Sequence, residues 1–378
     1  MLRYILIFII LTHGLIHLMG FAKAFDYGNI TQLTKTVSKP FGAFWFATAV
    51  LFIIITLFLL LKKDWWWIPA LIAIIISQVL IISFWSDAKF GTIANLLILV
   101  AIINAWGIQY FVNTYKSDVT AGLNRTNKIE NNLLTIKDIE PLPELVQQYL
   151  TYVGVLNKPK VKNTKVIFEG EMREQGKDWF KFTSEQYNFF DTPTRLFFMK
   201  ATMFGITIPG YHAYKNANAT MQIKLAGLFH IVNVKGNTLT KAETVTLFND
   251  MCIFAPATLI DKRISWQPVD SSSVKAIFTT EGISITAILY FNKEGQLINF
   301  ISDDRYAVSD MKRYRFSTPV SNYKNIYGYN LPTYGETVWH YPEGNFTYGK
   351  FNLQQLEYNC KFKPRLHVYN RDLNLFSY

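Results

Sequence analysis

The stretch LTHGLIHLMG, residues 11–20, sets His13 and His17 four positions apart in an otherwise apolar run. On a helix that spacing puts both imidazoles on one face, a turn apart. Such a pair can chelate one metal ion, join a proton-linked or ligand-binding pocket, or hydrogen-bond between helices in neutral form. A metal would need a third ligand, and Asp87 is the obvious candidate. A single bis-histidine haem is disfavoured, because its axial ligands must approach from opposite sides. No cofactor is otherwise predicted.

The elements that must position this pair are apolar. Uncharged runs cover residues 4–22, 40–61, 65–86 and 90–115, with lengths of 19, 22, 22 and 26 residues. Crossing a bilayer takes about 20 residues of helix, so residues 1–115 read as four transmembrane helices, with Trp65–Trp67 and Trp85 as an interfacial belt. His17 then lies inside the far end of the first helix. The loop WSDAKF between the third and fourth helices emerges on the same side, which sets Asp87 and Lys89 at the mouth of the bundle, with Asp26 nearby. Gln78, Asn95 and Asn104 add polarity. Ionisable groups at membrane depth are costly and mark function, so His13, His17, Asp87 and Lys89 form one candidate site.

The opening Met-Leu-Arg and the Ala22-Lys23-Ala24 stretch also resemble a cleavable signal. The histidines and Gly14 in the middle of that run argue against cleavage. Arg3, Lys62, Lys63, Lys116, Arg125 and Lys128 fall on one side of a four-span bundle, and Lys23, Lys35, Lys39 and Lys89 on the other. That bias favours both termini in the cytoplasm of a bacterial inner membrane.

Charge is uneven. Up to Tyr115 there are seven Lys/Arg and three Asp/Glu, and beyond it 31 and 24. The second group mixes both signs, unlike the clustered positive charge of a nucleic-acid footprint. Cys252 and Cys360 are the only cysteines, so no disulfide framework or CxxC motif exists.

Residues 116–141 read as a polar linker, and 142–378 as a β-rich soluble domain. Leu142, Leu145, Val146, Tyr149, Leu150 and Val153 form a stripe of helical period, with Gly154 as a stop. After Lys162 the period becomes two. GISITAILYF alternates, NKEG (292–295) turns the chain, and PEG (342–344) marks a second hairpin. About ten strands are expected between 163 and 360, as a curved antiparallel sheet. Thr240 and Glu243 match a capping box. Ala242, Val245, Phe248 and Cys252 continue as a helix that either fills the sheet's core or lids a cavity. The fold class is therefore α+β: a four-helix transmembrane bundle, then a large curved antiparallel sheet with a few covering helices.

The soluble part shows no P-loop, GxGxxG, HExxH, GxSxG or paired CxxC. His212, His230, His340 and His367 lack ligand spacing. Glu336 and His340 share a strand face, and Arg305 is placed to pair with Glu336 across strands. That group is either an exposed ladder of little value or, if buried in a curved sheet, a ligand-orienting site.

HGLIHLMGFAKAF, WSDAKFGTIAN, FAPATLID and PTYGETVWHYPEGNFTYGKF together resemble a bacterial family known only as a domain of unknown function. Its members carry N-terminal membrane helices and a soluble C-terminal domain. The resemblance implies that His13, His17, Asp87 and Lys89 belong to a family pattern. In architecture alone, the β-rich part also resembles the curved half-barrels of bacterial lipoprotein carriers. The expectation is a membrane-anchored protein whose β domain holds an apolar or lipid-like ligand beside the bilayer. A membrane enzyme or redox protein using the histidine pair, and a partner-binding platform without ligand, are the alternatives.

Overall fold

The uncharged runs fold as helices, in which the backbone satisfies its own polar groups. The computed structural model describes residues 2–203 and 206–362; His367 lies outside them. Four long helices and one short one come first: α1 (Leu2–Ala24), α2 (Lys39–Leu60), α3 (Trp67–Ser83), α4 (Trp85–Ala88) and α5 (Gly91–Thr126). Of these, α1, α2 and α5 are long and apolar enough to cross a membrane, whereas α3 has 17 residues. The third run is cut short because Phe84 leaves helical geometry, at φ −118° and ψ 40°. Small residues let α1 and α2 approach closely. At Gly20 a Cβ would fall 2.2 Å from the Trp45 ring.

The chain forms two units that part between Val112 and Asn113, inside α5. Residues 116–126, expected as linker, are therefore helical. The reason is a buried stripe at helical spacing, Tyr115, Val119, Leu123 and Thr126. It is anchored where the Tyr115 hydroxyl donates to Glu185 Oε1 at 3.1 Å and Arg125 meets Asp191 at 2.6 Å. After α5 come α6 (Ile136–Ile139) and α7 (Glu144–Val153). Helix α7 buries Val146, Tyr149, Leu150 and Val153, as its stripe predicts, and stops at Gly154 with φ 79°.

The rest of the second unit is built on one sheet. Its strands are β1 (Asn163–Met172), β2 (Phe180–Phe189), β3 (Thr194–Met203), β4 (Ile206–Lys215), β5 (Asn218–Leu225), β6 (Phe229–Lys235), β7 (Ile264–Pro268), β8 (Ser273–Thr280), β9 (Ile283–Phe291), β10 (Leu297–Ser302), β11 (Arg315–Ile326), β12 (Tyr329–Tyr341) and β13 (Gly344–Tyr358). Every pairing is antiparallel, in the order β6-β5-β4-β3-β2-β1-β13-β12-β11-β10-β9-β8-β7. Thirteen strands among the described residues exceed the ten expected. Strands buried on both faces lose their alternation, and β3 is such a strand, buried from Thr194 to Met199. Both foreseen hairpins are present, β9–β10 across 292–296 and β12–β13 across 342–343.

Helix α8 (Asn237–Phe254) joins the two free edges, leaving β6 and leading through a 3-10 turn at Pro256–Ile260 into β7. It touches β3, β4, β5 and β6 on one side and β9, β10 and β12 on the other. One helix reaches both ends of a thirteen-stranded sheet only if the sheet curves around it. Phe248 stacks on Phe278, with ring centroids 5.2 Å apart, and meets Phe300 at 5.9 Å. The capping box does not form, because α8 starts four residues early, with Gly236 at the N-cap. Thr240, inside the first turn, donates to the Gly236 carbonyl at 2.9 Å and accepts from the Ala219 N–H at 3.1 Å. Glu243 is released for another partner.

Strand β1 joins the two halves of the sheet, and its fit is tight. A Cβ at Gly170 would lie 2.1 Å from the Lys350 carbonyl oxygen. We expect Gly170→Ala to lower the urea midpoint of the β domain by the equivalent of roughly 1–3 kcal/mol, as overpacking does.

Candidate functional site

Helix α8 divides the interior of the curved sheet. Val245, Phe248 and Cys252 face a packed core. The opposite face, formed by Leu239, Ala242, Glu243, Thr246, Asn249, Asp250 and Ile253, lines a cavity of about 720 Å³. Sheet residues complete it, notably Phe197, Met199, Val232, Val234, Phe316 and Trp339. The foreseen helix thus both fills a core and walls a cavity.

One part of this apolar wall is ionic. Arg195, on β3, donates from Nε to Asp250 Oδ2 at 2.8 Å, from Nη1 to Glu243 Oε2 at 3.0 Å and from Nη2 to Gln186 Oε1 at 3.0 Å. Gln186 returns a hydrogen bond to Asp250 at 2.8 Å, and Asn188 adds one at 3.2 Å. His212 Nδ1 lies 3.5 Å from Glu243 Oε1. Arg195, Glu243 and Asp250 are all buried. Burial alone would raise the Glu243 carboxyl, but the Arg195 guanidinium and His212 override it and hold it down at about 2. At Asp250 burial wins over Arg195 and the carboxyl is pushed up. One guanidinium between two carboxylates leaves an excess negative charge that a hydrophobic replacement would avoid. Such buried pairs are weak contributors to stability. Asn249 donates to Thr318 Oγ1 at 2.9 Å, while its buried Oδ1 has no partner.

Sequence reasoning missed most of this cluster, although signals existed. Glu243, Thr246, Asn249 and Asp250 form a polar stripe at helical spacing, and Arg195 shares strand parity with Phe197 and Met199. Of the residues it singled out here, Arg305 lines the cavity and Glu336 and His340 do not. From β12 the cavity takes Pro332, Thr333, Tyr334, Gly335, Thr337, Trp339 and Tyr341, and past Gly335 only odd-numbered positions, which leaves Glu336 and His340 on the other face. The expected Arg305–Glu336 pair is absent. Glu336 accepts from the Tyr334 hydroxyl at 2.7 Å, and His340 Nε2 lies 2.8 Å from Ser317 Oγ. Arg305 Nη1 donates instead to the Tyr348 hydroxyl at 2.7 Å.

In the first unit, His13 and His17 share a face of α1, their rings edge to face at 4.7 Å. His17 Nδ1 donates to the His13 carbonyl at 2.8 Å, so its Nε2 accepts from Ser77 Oγ at 3.0 Å. His13 Nε2 donates to Asn95 Oδ1 at 3.0 Å and lies 3.1 Å from Ser77 Oγ. Asn95 donates onward to Ser77 and Gln78, and Gln78 to Thr92. With both imidazoles neutral, every ring nitrogen bonded in this chain has a complementary partner. Ser77 and Thr92 were not foreseen. Asp87 serves elsewhere, accepting from the Thr34 N–H at 2.7 Å and the Thr34 hydroxyl at 2.9 Å. Lys89 Nζ lies 5.5 Å from the Phe90 ring centroid and makes no ion pair among the described residues. Nor is any group of three His, Cys, Asp or Glu arranged there to hold a metal ion.

Residues 132–351 match the model of a family of unknown function, DUF6544. The chain belongs to this family. The DUF6544 region holds α6, α7, α8 and nearly the whole cavity wall, and it begins after α5. No curated protein matches the sequence. Among solved structures, a LolA superfamily protein from Nitrosomonas europaea is similar at 8% identity, covering 60% of this chain and 98% of that chain with a TM-score of 0.34. A likeness that loose says nothing about a ligand.

Removing Arg195 strands two buried carboxylates. Arg195→Met should lower the urea-unfolding free energy by roughly 3–5 kcal/mol, and Arg195→Met with Glu243→Gln and Asp250→Asn should recover most of it. Because the Glu243 carboxyl is depressed in the fold, its ionisation stabilises the domain above the ordinary value of 4.5, and that contribution is lost as pH falls toward about 2. The stability difference between wild type and Glu243→Gln, followed by urea midpoints against pH, should therefore shrink across that window.

Proposed function

We propose that this protein is a membrane-anchored binding protein whose β domain holds an apolar or lipid-like molecule. The observation that carries the reading is the cavity itself. Its volume, about 720 Å³, falls among small-molecule sites of about 300–1,000 Å³, which are mainly apolar with a few convergent polar groups. Phenylalanine, methionine and valine side chains suit an aliphatic body. The ionic cluster, Asn249 and Arg305 suit a polar end. Retaining a buried ion cluster that gives little stability is consistent with a binding role.

In this reading α1, α2, α3 with α4, and the first part of α5 cross a bacterial inner membrane, with the charge bias favouring a cytoplasmic β domain. The neutral imidazole chain serves as the polar core of that bundle. Metal or redox use of His13 and His17 gains no support, because both His17 nitrogens are already engaged and Asp87 is held by Thr34.

Native mass spectrometry of the full chain released from nanodiscs tests the proposal. Wild type should carry a bound amphiphile that Thr246→Trp, which fills the cavity from α8, loses by roughly tenfold or more. Equal retention in both would remove the cavity from consideration.

A further inference from the structure

Arg305 sits in the loop between β10 and β11, directly after two aspartates that do not serve it. Asp303 holds Arg315 at 2.8 Å. Asp304 holds Lys241 at 3.0 Å and Arg313 at 3.6 Å, and accepts the Thr286 N–H at 2.8 Å. Glu336 faces away, and Glu243 and Asp250 share Arg195. Among the described residues Arg305 makes no direct ion pair with a carboxylate, and it acts on Glu243 only at longer range.

Aromatic faces hold its charge instead. The guanidinium carbon lies 4.0 Å from the Phe316 ring centroid, 5.1 Å from that of Trp339 and 5.9 Å from that of Tyr348. A β-bulge helps to build this cradle. Thr337 pairs with Gly349 and Val338 with Thr347, so Tyr348 is the extra residue of β13. Stacking uses the flat face of a guanidinium and leaves its donors around the edge. Only Nη1 is committed, to Tyr348, while Nε is buried without an acceptor. A buried charged donor left unmade is costly.

We propose that the cavity takes an anionic amphiphile, with the oxyanion of its head group at the uncommitted donors of the Arg305 guanidinium and its aliphatic chain against Phe197, Met199, Val232 and Val234. This rests on the binding role proposed above and adds the charge of the ligand. A carboxylate and a phosphate monoester offer the same geometry to the fork of donors.

The test uses the full chain in phosphatidylcholine nanodiscs, with three diazirine-tailed probes of equal chain length: hexadecanoic acid, hexadecyl phosphate and hexadecanol. Cross-links on peptides of β3 and β6 are quantified and normalised to those on α1 and α2. The expected result is that at least one anionic probe exceeds the alcohol by roughly tenfold, about 1.4 kcal/mol. Arg305→Leu should bring it to the level of the alcohol while alcohol labelling persists. Labelling by one anion or by both identifies the source as carboxylate, phosphate or either. Equal labelling by acid, phosphate and alcohol in wild type would overturn the anionic assignment and leave the binding role standing. No cross-links on β3 or β6 from any probe would overturn both. If Arg305→Leu fails to fold, Arg305→Lys decides: the anion preference should fall but persist, and an unchanged ratio would count against the stacked guanidinium.

Discussion

Arg195 is the hinge of the second unit's design, because it lets a helix with a polar face lie inside a curved sheet. Helix α8 brings Glu243 and Asp250 into an interior where an unpaired carboxylate would cost several kcal/mol. Arg195 reaches them from β3, with Gln186 and Asn188 from β2 filling the remaining acceptor positions. With that face satisfied, α8 need not be packed on both sides. Its apolar face completes the core with Phe278 and Phe300, and its polar face is left to border a cavity.

The same economy of partners explains Arg305. Each acidic group around it is already held by another cation or faces outward, so its charge rests on ring faces, the Tyr348 hydroxyl and the more distant Glu243. The cavity wall thus contains two arginines in opposite conditions, one saturated with carboxylates and one that pairs with none. The first ties α8 to β3, and the second keeps donors that no carboxylate takes.

Much of the fold can be read from the sequence where a single periodicity dominates. The apolar runs, the stripe of α7 and the hairpins at 292–296 and 342–343 are all of this kind. The reading fails where two environments act on one segment. Residues 116–126 are polar enough to resemble a linker, yet one stripe of them is buried, so they continue α5. Strand β3 is buried on both faces and its alternation vanishes. At the cavity the reading fails for a different reason. Glu243 matches a cap by local spacing, but its partner is Arg195, 48 residues away on another element. Only tertiary placement separates the two roles. The histidines of α1 show the reverse case: their shared face follows from spacing, while Ser77, which both of them approach, carries no signal of its own.

The order of strands sets the order in which the sheet can be completed. Strands β1 to β6 form one continuous meander and β7 to β13 another, and β1 meets β13 between them. Thr164 pairs with Tyr358 across almost the whole second unit. During synthesis the first meander emerges with the β1 edge unpaired, and that edge stays open until the last strand leaves the ribosome. Long-range pairing of this kind is slow, and an open edge is where chains associate wrongly. Gly170 and the bulge opposite Ile167 and Phe168 lie on that seam. They make it a poor template for any strand other than β13, so the features that constrain the finished sheet also guard it while it is half built.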